Sequence, residues 1–365
     1  MGSIQKYDII VVGAGPGGSL ASKLCAKAGF RTLLLEKKNL PRDKVCSGMV
    51  MGAWAKNLIE EHFGTIPEHI LTTPKYLSGN MFHVPGLSPK TIEWHTPIAW
   101  RRDLDSWLTE KAVAGGVEVW DRTRLRSILN ADGKVKVLID RGNESIELVC
   151  RYMIGADGAS SRTRKSLFPN LSVKYTTPIR ECYMGALDLE KDYIHWFFPK
   201  LKLRPRFNVN HKGDMFLIEG SGIKELRTEI NTILAQYGFD PGSRPIWKDG
   251  CVEPLLHEDL ISGAFVPAQG NVLLVGDAAG LILPITFEGI GTALKSGMFA
   301  AEAIKETSNT EKDLAGQYID KIQPIIQAIR HLVSVNKKAE KEASGHNEKI
   351  LDALVFAYGE TLRIQ

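Results

Sequence analysis

The chain has 365 residues, 44% of them apolar and 24% charged, which is the composition of a globular protein large enough for two substructures. Its net charge of +4 is too small for a protein whose main partner is nucleic acid, so no nucleic acid is expected. Five scattered cysteines without a Cys-x-x-Cys pair indicate neither disulfides nor a metal site, which favours the cytoplasm. No segment is apolar for long enough to span a bilayer, so any membrane contact is expected to be peripheral.

The chain begins with a predicted strand–helix–strand unit. Residues 7–12 form a buried strand, residues 16–28 have helical composition, and residues 31–35 form a second apolar strand. Residues 172–255 alternate like a sheet, and residues 271–276 return to a buried strand. A second domain therefore interrupts the first, and the pattern after it is mostly helical.

The turn after the first strand has the pattern Gly-x-Gly-x-x-Gly. Gly13 allows a tight turn, Gly15 lets the backbone approach a pyrophosphate, and Gly18 lets helix and strand pack closely. An ordinary glycine turn is the alternative, but an acid ends the second strand, where Glu36 would accept ribose hydroxyls. The cofactor-binding residues predicted here are Gly13, Gly15, Pro16, Gly17, Gly18, Glu36 and Lys37.

Two further glycine turns follow apolar strands, Gly155-Ala-Asp157-Gly and Gly276-Asp277-Ala-Ala-Gly, and a helix begins near Arg101-x-x-Leu-Asp. With the N-terminal turn, these segments favour FAD over a nicotinamide. From residue 5 to about 305, the chain resembles the flavoproteins that share the p-hydroxybenzoate hydroxylase fold.

The resemblance implies specific contacts with FAD. Asp277, after Gly276, would bind the ribityl and pyrophosphate region. Arg101, the backbone at Leu125 and Asp157 would contact FAD. For Asp157, a simple helix cap is the alternative role. The backbone amides of Gly289 and Ile290 would face the O2 atom of the flavin ring, and Gly276 and Pro284 are counted among the predicted cofactor contacts.

The implied fold class is α/β, with a Rossmann-type FAD-binding domain, an inserted antiparallel β-sheet substrate domain and C-terminal helices. The predicted FAD-binding domain consists of residues 1–72, 98–172 and 262–308. The predicted substrate domain consists of residues 73–97 and 173–261, and a helical segment follows at residues 309–365.

Within this superfamily, the chain resembles the geranylgeranyl reductase family, which saturates isoprenoid double bonds with reduced FAD. Lys44-Val-Cys46-Ser47-Gly48 is similar to the family segment beside the flavin ring, so Cys46, Ser47 and Gly48 are predicted cofactor contacts. Two further segments carry the resemblance: Trp196-Phe-Phe198-Pro199-Lys200, and Pro284-Ile-Thr-Phe287-Glu-Gly289-Ile290 after the Gly-Asp-Ala-Ala-Gly turn.

The resemblance implies that reduced FAD gives a hydride to one alkene carbon while an acid gives a proton to the other. Cys46 is the candidate catalytic residue, because a free thiol with a pKa of about 8.5 is mostly protonated at neutral pH. Cys46 could equally shape the pocket as a small apolar side chain. The predicted substrate-pocket residues are Trp196, Phe198, Pro199, Lys200 and Phe287, with ordinary core as the alternative for the aromatic ones.

The predicted substrate is apolar and isoprenoid-like. Lys200, Lys202, Arg204 and Arg206 stand at every second position, which would suit an anionic headgroup or a solvated strand face. The electron donor could be NAD(P)H, ferredoxin or a quinol.

Two other functions use the same fold. A flavin monooxygenase, of the hydroxylase or halogenase kind, would consume NAD(P)H and O2. A non-catalytic FAD-binding partner or redox sensor is the third alternative.

Overall fold

The computed structural model describes residues 5–50, 52–131, 133–199, 207–342 and 347–364. The first sheet is mainly parallel. Its central strand order is β16-β17-β8-β1-β2-β5, and a β6–β7 hairpin lies beside β8. Its strands are β1 (Gln5–Val12), β2 (Thr32–Leu35), β5 (Glu118–Trp120), β6 (Thr123–Ala131), β7 (Lys134–Arg141), β8 (Glu144–Gly155), β16 (Ala268–Gln269) and β17 (Val272–Leu274).

The register of the parallel strands brings their carboxyl ends to one edge. Val12 pairs with Leu35 on one side and with Gly155 on the other, and Gly155 also pairs with Leu274. All four residues of β2 are buried, as expected for an apolar strand covered on both faces. The three glycine turns and Glu36 therefore meet at one edge, where open α/β sheets bind their ligands.

Ten helices are seen in the described ranges. They are α1 (Pro16–Lys27), α2 (Ala53–Phe63), α3 (Arg101–Ala114), α4 (Arg162–Leu167), α5 (Arg227–Ala235), α6 (His257–Ser262), α7 (Ile290–Thr307), α8 (Leu314–Lys321), α9 (Gln323–Glu342) and α10 (Asn347–Leu362).

Helices α1 and α7 cross in very close contact. A methyl group on Gly17 would lie 2.7 Å from the Ala293 carbonyl oxygen, and one on Gly297 would lie 2.4 Å from the Gly17 oxygen. Only glycine allows backbones to approach this closely. The crossing brings the N-terminus of α7 towards that of α1, at the edge where the parallel strands end.

The second sheet has the strand order β14-β10-β13-β12-β11-β3-β4. Its pairs are antiparallel, except that β11 runs parallel to β3, a departure from the wholly antiparallel sheet predicted. These two strands lie far apart in the chain, so no hairpin fixes their direction. The strands are β3 (Leu71–His83), β4 (Lys90–Ala99), β10 (Pro178–Met184), β11 (Tyr193–Phe197), β12 (Phe207–Lys212), β13 (Met215–Ser221) and β14 (Trp247–Gly250), and β9 (Lys174–Thr176) pairs separately with β15 (Glu253–Leu255).

The C-terminal helices tie the two sheets together. Residues of α8 and α9, such as Tyr318 and Ile329, are buried in the core beneath the first sheet. Residues of α10, such as Leu354 and Tyr358, pack with Phe82 of the second sheet. In the described part of the chain, no helix combines the length and apolar character that crossing a bilayer requires.

Candidate functional site

A single cleft of about 1520 Å³ runs between the carboxyl edge of the first sheet and one face of the second. Small-molecule sites commonly measure about 300 to 1,000 Å³, so the cleft has room for a dinucleotide and a second ligand. Most of the predicted cofactor residues line it: Gly13, Gly15, Pro16, Gly17, Glu36, Lys37, Cys46, Ser47, Arg101, Leu125, Asp157, Gly276, Asp277, Pro284, Gly289 and Ile290.

The first glycine turn has the geometry that a pyrophosphate site needs. Gly13 has φ +108°, and a methyl group there would lie 2.3 Å from the Ala156 carbonyl oxygen. Gly18 does not line the cleft, because its Cα packs against Gly13, where a methyl group would lie 1.9 Å from the carbonyl oxygen. No side chain caps the N-terminus of α1 at Gly15, so its amides are free to bind an anion.

Glu36 ends β2 with a buried side chain. Its carboxylate accepts hydrogen bonds from the amide of Ala14 (3.1 Å), the amide of Lys38 (2.9 Å) and Nε of Arg42 (3.0 Å). An ionised carboxylate has about four acceptor positions, so one is left for a ribose hydroxyl. Arg42 also lies 3.2 Å from the Asp105 carboxylate.

The third glycine turn places Asp277 beside the N-terminus of α7. Lys44 Nζ lies 3.6 Å from the Asp277 carboxylate. Gly289, which has no side chain, is the N-cap of α7, and the neighbouring Glu288 side chain accepts the Gly291 amide over 2.7 Å. Gly289 and Ile290 thus stand where the positive end of α7 meets the cleft.

Asp157 lines the cleft and also caps a helix. Its carboxylate accepts the backbone amides of Arg162 (2.7 Å) and Thr163 (3.0 Å), at the start of α4. The alternative considered from the sequence, a helix cap, is therefore realised in the geometry.

Arg101 is buried and fixed by Asp105. Its Nε and Nη2 donate to the two carboxylate oxygens over 2.8 and 2.9 Å, a bidentate pair. Burial disfavours the charged guanidinium, but Asp105 and Cys46 outweigh burial and raise the pKa of Arg101. Arg101 therefore holds a fixed positive charge beside Cys46.

Cys46 lies partly exposed on the cleft wall. The Gly48 amide donates to its Sγ over 3.3 Å, and Nη1 of Arg180 donates to its carbonyl oxygen over 2.7 Å. Gly48 itself is buried, with φ +76°, and a methyl group there would lie 1.9 Å from the Ala99 carbonyl oxygen. The thiol is thus held by a rigid turn among cationic side chains.

The aromatic segment of β11 divides between the cleft and the core. Trp196 lines the cleft, and its Nε1 donates to Asn80 Oδ1 over 3.0 Å. Phe198 is only 1% exposed and packs on Phe82. Neither Phe198 nor Pro199 is among the residues that line the cleft.

Phe287 reaches the cleft from the opposite wall, on a strained turn with φ +54°. Lys200 and the rest of the predicted cationic strip, Lys202, Arg204 and Arg206, lie outside the described residues.

Sequence reasoning missed a polar row across the floor of the cleft. Arg180 on β10 forms a bidentate pair with Asp249 on β14, over 3.0 and 2.7 Å, and stands opposite Glu219 on β13. Glu219 stands opposite Asn208 on β12. In the sequence these residues show only as single polar positions within apolar strands. The strand register is needed to bring them into one row.

Sequence reasoning also missed Glu288, which lies in the Pro284–Ile290 segment but received no predicted role. Its side chain is buried at the N-terminus of α7 and accepts the Gly291 amide over 2.7 Å. Burial raises the pKa of Glu288 to about 7, against the hydrogen bonds from the Gly291 and Ile290 amides.

The raised pKa of Glu288 predicts a pH-dependent stability. The folded chain holds this proton more tightly than the unfolded chain, so its stability falls as the pH rises from about 4.5 to about 7. Between pH 5 and 8 the free energy of unfolding of the FAD-free native protein should fall by up to about 3 kcal/mol through this group, and Glu288→Gln should remove this part of the fall. Urea unfolding at the two pH values measures the difference, and identical slopes in both proteins would contradict it.

The donor set as a whole fits FAD. The close-packed glycine turn, the uncapped amides of α1 and the buried Glu36 suit the pyrophosphate and ribose, and the α7 N-terminus suits a flavin carbonyl.

Two family models match the chain. Residues 79–191 match the model described as an FAD binding domain. Residues 11–42 match that of an NAD(P)-binding Rossmann-like domain, which covers the first glycine turn and Glu36.

Two named relatives illustrate the similarity. Digeranylgeranylglycerophospholipid reductase 2 of Methanopyrus kandleri is 28% identical over 337 residues, covering 87% of this chain and 82% of the relative. Geranylgeranyl diphosphate reductase of Rhodobacter capsulatus is 29% identical over 318 residues, covering 82% of this chain and 75% of the relative. The resemblance to the geranylgeranyl reductase family is confirmed. The chain is an FAD-dependent oxidoreductase, as predicted.

Solved structures show the same fold. A geranylgeranyl bacteriochlorophyll reductase-like protein from Thermoplasma acidophilum has a TM-score of 0.76 at 22% identity, covering 99% of this chain and 98% of that chain. A flavin-dependent brominase has a TM-score of 0.69 at 16% identity, covering 96% and 93%. The predicted fold class, a Rossmann-type FAD-binding domain with a second sheet and C-terminal helices, is confirmed.

Proposed function

We propose that the chain is a reductase that saturates C=C bonds of an isoprenoid or similarly apolar substrate. The observation that carries the proposal is the position of Cys46, a thiol on the wall of a cleft that holds both the FAD donor set and Trp196. A proton donor and an aromatic surface then face the same space, as an alkene reduction requires.

The chain's own residues would provide the proton and the dry pocket. Bound FAD, once reduced, supplies the hydride. We propose that Cys46 gives the S–H proton to the second alkene carbon. Arg101, and Arg180 through its bond to the Cys46 carbonyl, place positive charge near the thiolate left behind.

Apolar side chains would hold the isoprenoid. Trp196, Phe207, Ile285, Phe287 and Val333 line the cleft from the second sheet, the α7 entry turn and α9. The names of the relatives, digeranylgeranylglycerophospholipid reductase and geranylgeranyl diphosphate reductase, support a geranylgeranyl chain as the substrate class.

We further propose the predicted division of labour. Residues 1–72, 98–172 and 262–308 would bind FAD, residues 73–97 and 173–261 the substrate, and the helical segment 309–365 would tie the two together. The FAD contacts proposed are those predicted from the sequence that line the cleft, which leaves out Gly18 and Gly48, with Asp157 acting also as a helix cap.

Trp196 tests the substrate side of the cleft. We expect Trp196→Ala to raise the KM for a geranylgeranyl lipid about tenfold or more, because a large buried aromatic contact is lost. The Kd for FAD should change less than about twofold, since the donor set lies at the other sheet. Steady-state kinetics and flavin titration separate the two effects. If the affinities for the lipid and for FAD fell equally, Trp196 would support the fold rather than contact the substrate.

Product analysis tests the reaction itself. The FAD-loaded protein, reduced anaerobically with dithionite, is mixed with a geranylgeranyl lipid, with the fully saturated lipid as control. A product two mass units heavier, found only with the alkene, supports the reductase. An oxygenated product that requires air would instead identify a flavin monooxygenase.

A further inference from the structure

Lys212, at the end of β12, is a buried lysine that the reaction described above leaves without a role. Its side chain is 1% exposed. Nζ donates to the Ala99 carbonyl oxygen over 3.2 Å and lies 4.2 Å from the centre of the Trp100 ring. Among the described residues it has no other hydrogen-bond partner, although an ammonium group offers three donors. A buried charge with so few partners is costly to the fold.

The amino group of Lys212 lies against the turn that holds Cys46. A methyl group on Gly48 would lie 2.9 Å from Nζ, and the Gly48 amide donates to Cys46 Sγ. Ala99 makes both bonds. Its carbonyl oxygen accepts from Lys212 Nζ, and its amide donates to the Gly48 carbonyl oxygen over 3.0 Å. Lys212 and the thiol therefore flank one rigid turn.

Four charged or titratable groups on neighbouring elements shift the pKa of Lys212. Burial lowers the pKa of Lys212 to about 7. Cys46 on the turn raises it, Arg180 on β10 lowers it, and Glu219 on β13 and Cys182 on β10 raise it. Burial also raises the pKa of Glu219. The charge on Lys212 therefore changes within the physiological pH range.

We propose that Lys212 is a positioning residue for Cys46, a buried cation that stabilises the thiolate formed when Cys46 gives up its proton. This proposal rests on the proton donation by Cys46 proposed above. Arg101 and Arg180 keep their charges at all physiological pH values, whereas Lys212 adds its charge only below about pH 7.

Alkylation of Cys46 in the FAD-loaded full chain tests the coupling without any substrate. Iodoacetamide reacts with the thiolate, and mass spectrometry of the Cys46 peptide gives the rate. At pH 6 we expect Lys212→Met to slow the reaction about fivefold, because one positive charge near the sulfur is removed. At pH 8.5 the two rates should converge, since native Lys212 is then neutral.

Two controls keep the result interpretable. Lys212→Arg keeps its charge at every pH, so its Cys46 should react faster than the native thiol at pH 8.5. Cys251 also lines the cleft, and Lys212 is not among the groups that shift its pKa, so its alkylation should not respond to either change. A rate ratio independent of pH, or an equal effect on Cys251, would mean a purely structural role and overturn the proposal.

The outcome is separable from that of the proposed function. If Cys46 alkylation depends on Lys212 while Cys46→Ser keeps full turnover, the electrostatic coupling stands but its role in proton donation is refuted. If Cys46→Ser abolishes turnover while alkylation ignores Lys212, the proposed function stands and the proposal for Lys212 is refuted.

Discussion

We expect Gly18→Ala to produce a chain that does not retain FAD. The new methyl group would lie 1.9 Å from the Gly13 carbonyl oxygen and 3.1 Å from Ala156 Cβ, so the first turn and α1 must move apart. We expect the free energy of unfolding of the FAD-free protein to fall by about 3 kcal/mol or more. Urea unfolding and the flavin absorbance of the purified protein measure the two effects.

Gly15→Ala is the matched control. Gly15 has φ −91° and ψ −178°, an extended conformation open to any residue, and the nearest atom to a new methyl group is Arg42 Nη2 at 3.5 Å. Stability of the FAD-free protein should change by less than about 1 kcal/mol. FAD binding should weaken about tenfold or more, since the pyrophosphate must approach this backbone. Native FAD affinity in Gly15→Ala would contradict the proposed path of the cofactor.

Replacing Cys46 gives the second large effect. Both Cys46→Ala and Cys46→Ser should slow oxidation of the reduced flavin by a geranylgeranyl lipid by about a hundredfold or more, the usual contribution of a general acid. Serine keeps the size of cysteine but is a far weaker acid. FAD affinity and reduction by dithionite should stay near the native values. Stopped-flow flavin absorbance under anaerobic conditions follows the reaction.

The serine variant distinguishes the two roles left open by the sequence. If Cys46 only fills space beside the flavin, Cys46→Ser would keep most of the native rate. Equal losses in the alanine and serine variants would identify proton donation.

The parts of the site that the sequence predicted are local in the chain. The turn from Gly13 to Gly18, the acid Glu36 and the turn at Asp277 each lie at a strand end, and parallel pairing brings strand ends to one edge. Glycine turns at predicted strand ends therefore indicated most of the residues that the structure brings to the cleft.

The parts that the sequence did not predict depend on register across the second sheet. Trp196 and Phe198 were treated alike, yet only Trp196 lines the cleft, while Phe198, just beyond the end of β11, packs in the core. Arg180 and Glu219 lie 39 residues apart and become neighbours only when β10 pairs with β13. Lys212 lies against the turn that holds Cys46 because β12 ends next to Gly48. No local pattern in the sequence encodes such cross-strand contacts.

Anaerobic reoxidation of the dithionite-reduced, FAD-loaded protein tests the central claim most directly. The flavin spectrum is followed after mixing with a geranylgeranyl lipid, and in parallel after mixing with oxygenated buffer alone. We predict that the alkene restores the oxidised flavin spectrum without oxygen, and that this response is lost in Cys46→Ser. A flavin that stays reduced with every unsaturated lipid tested, but is reoxidised by oxygen with oxygenation of an organic substrate, would contradict the assignment as a reductase.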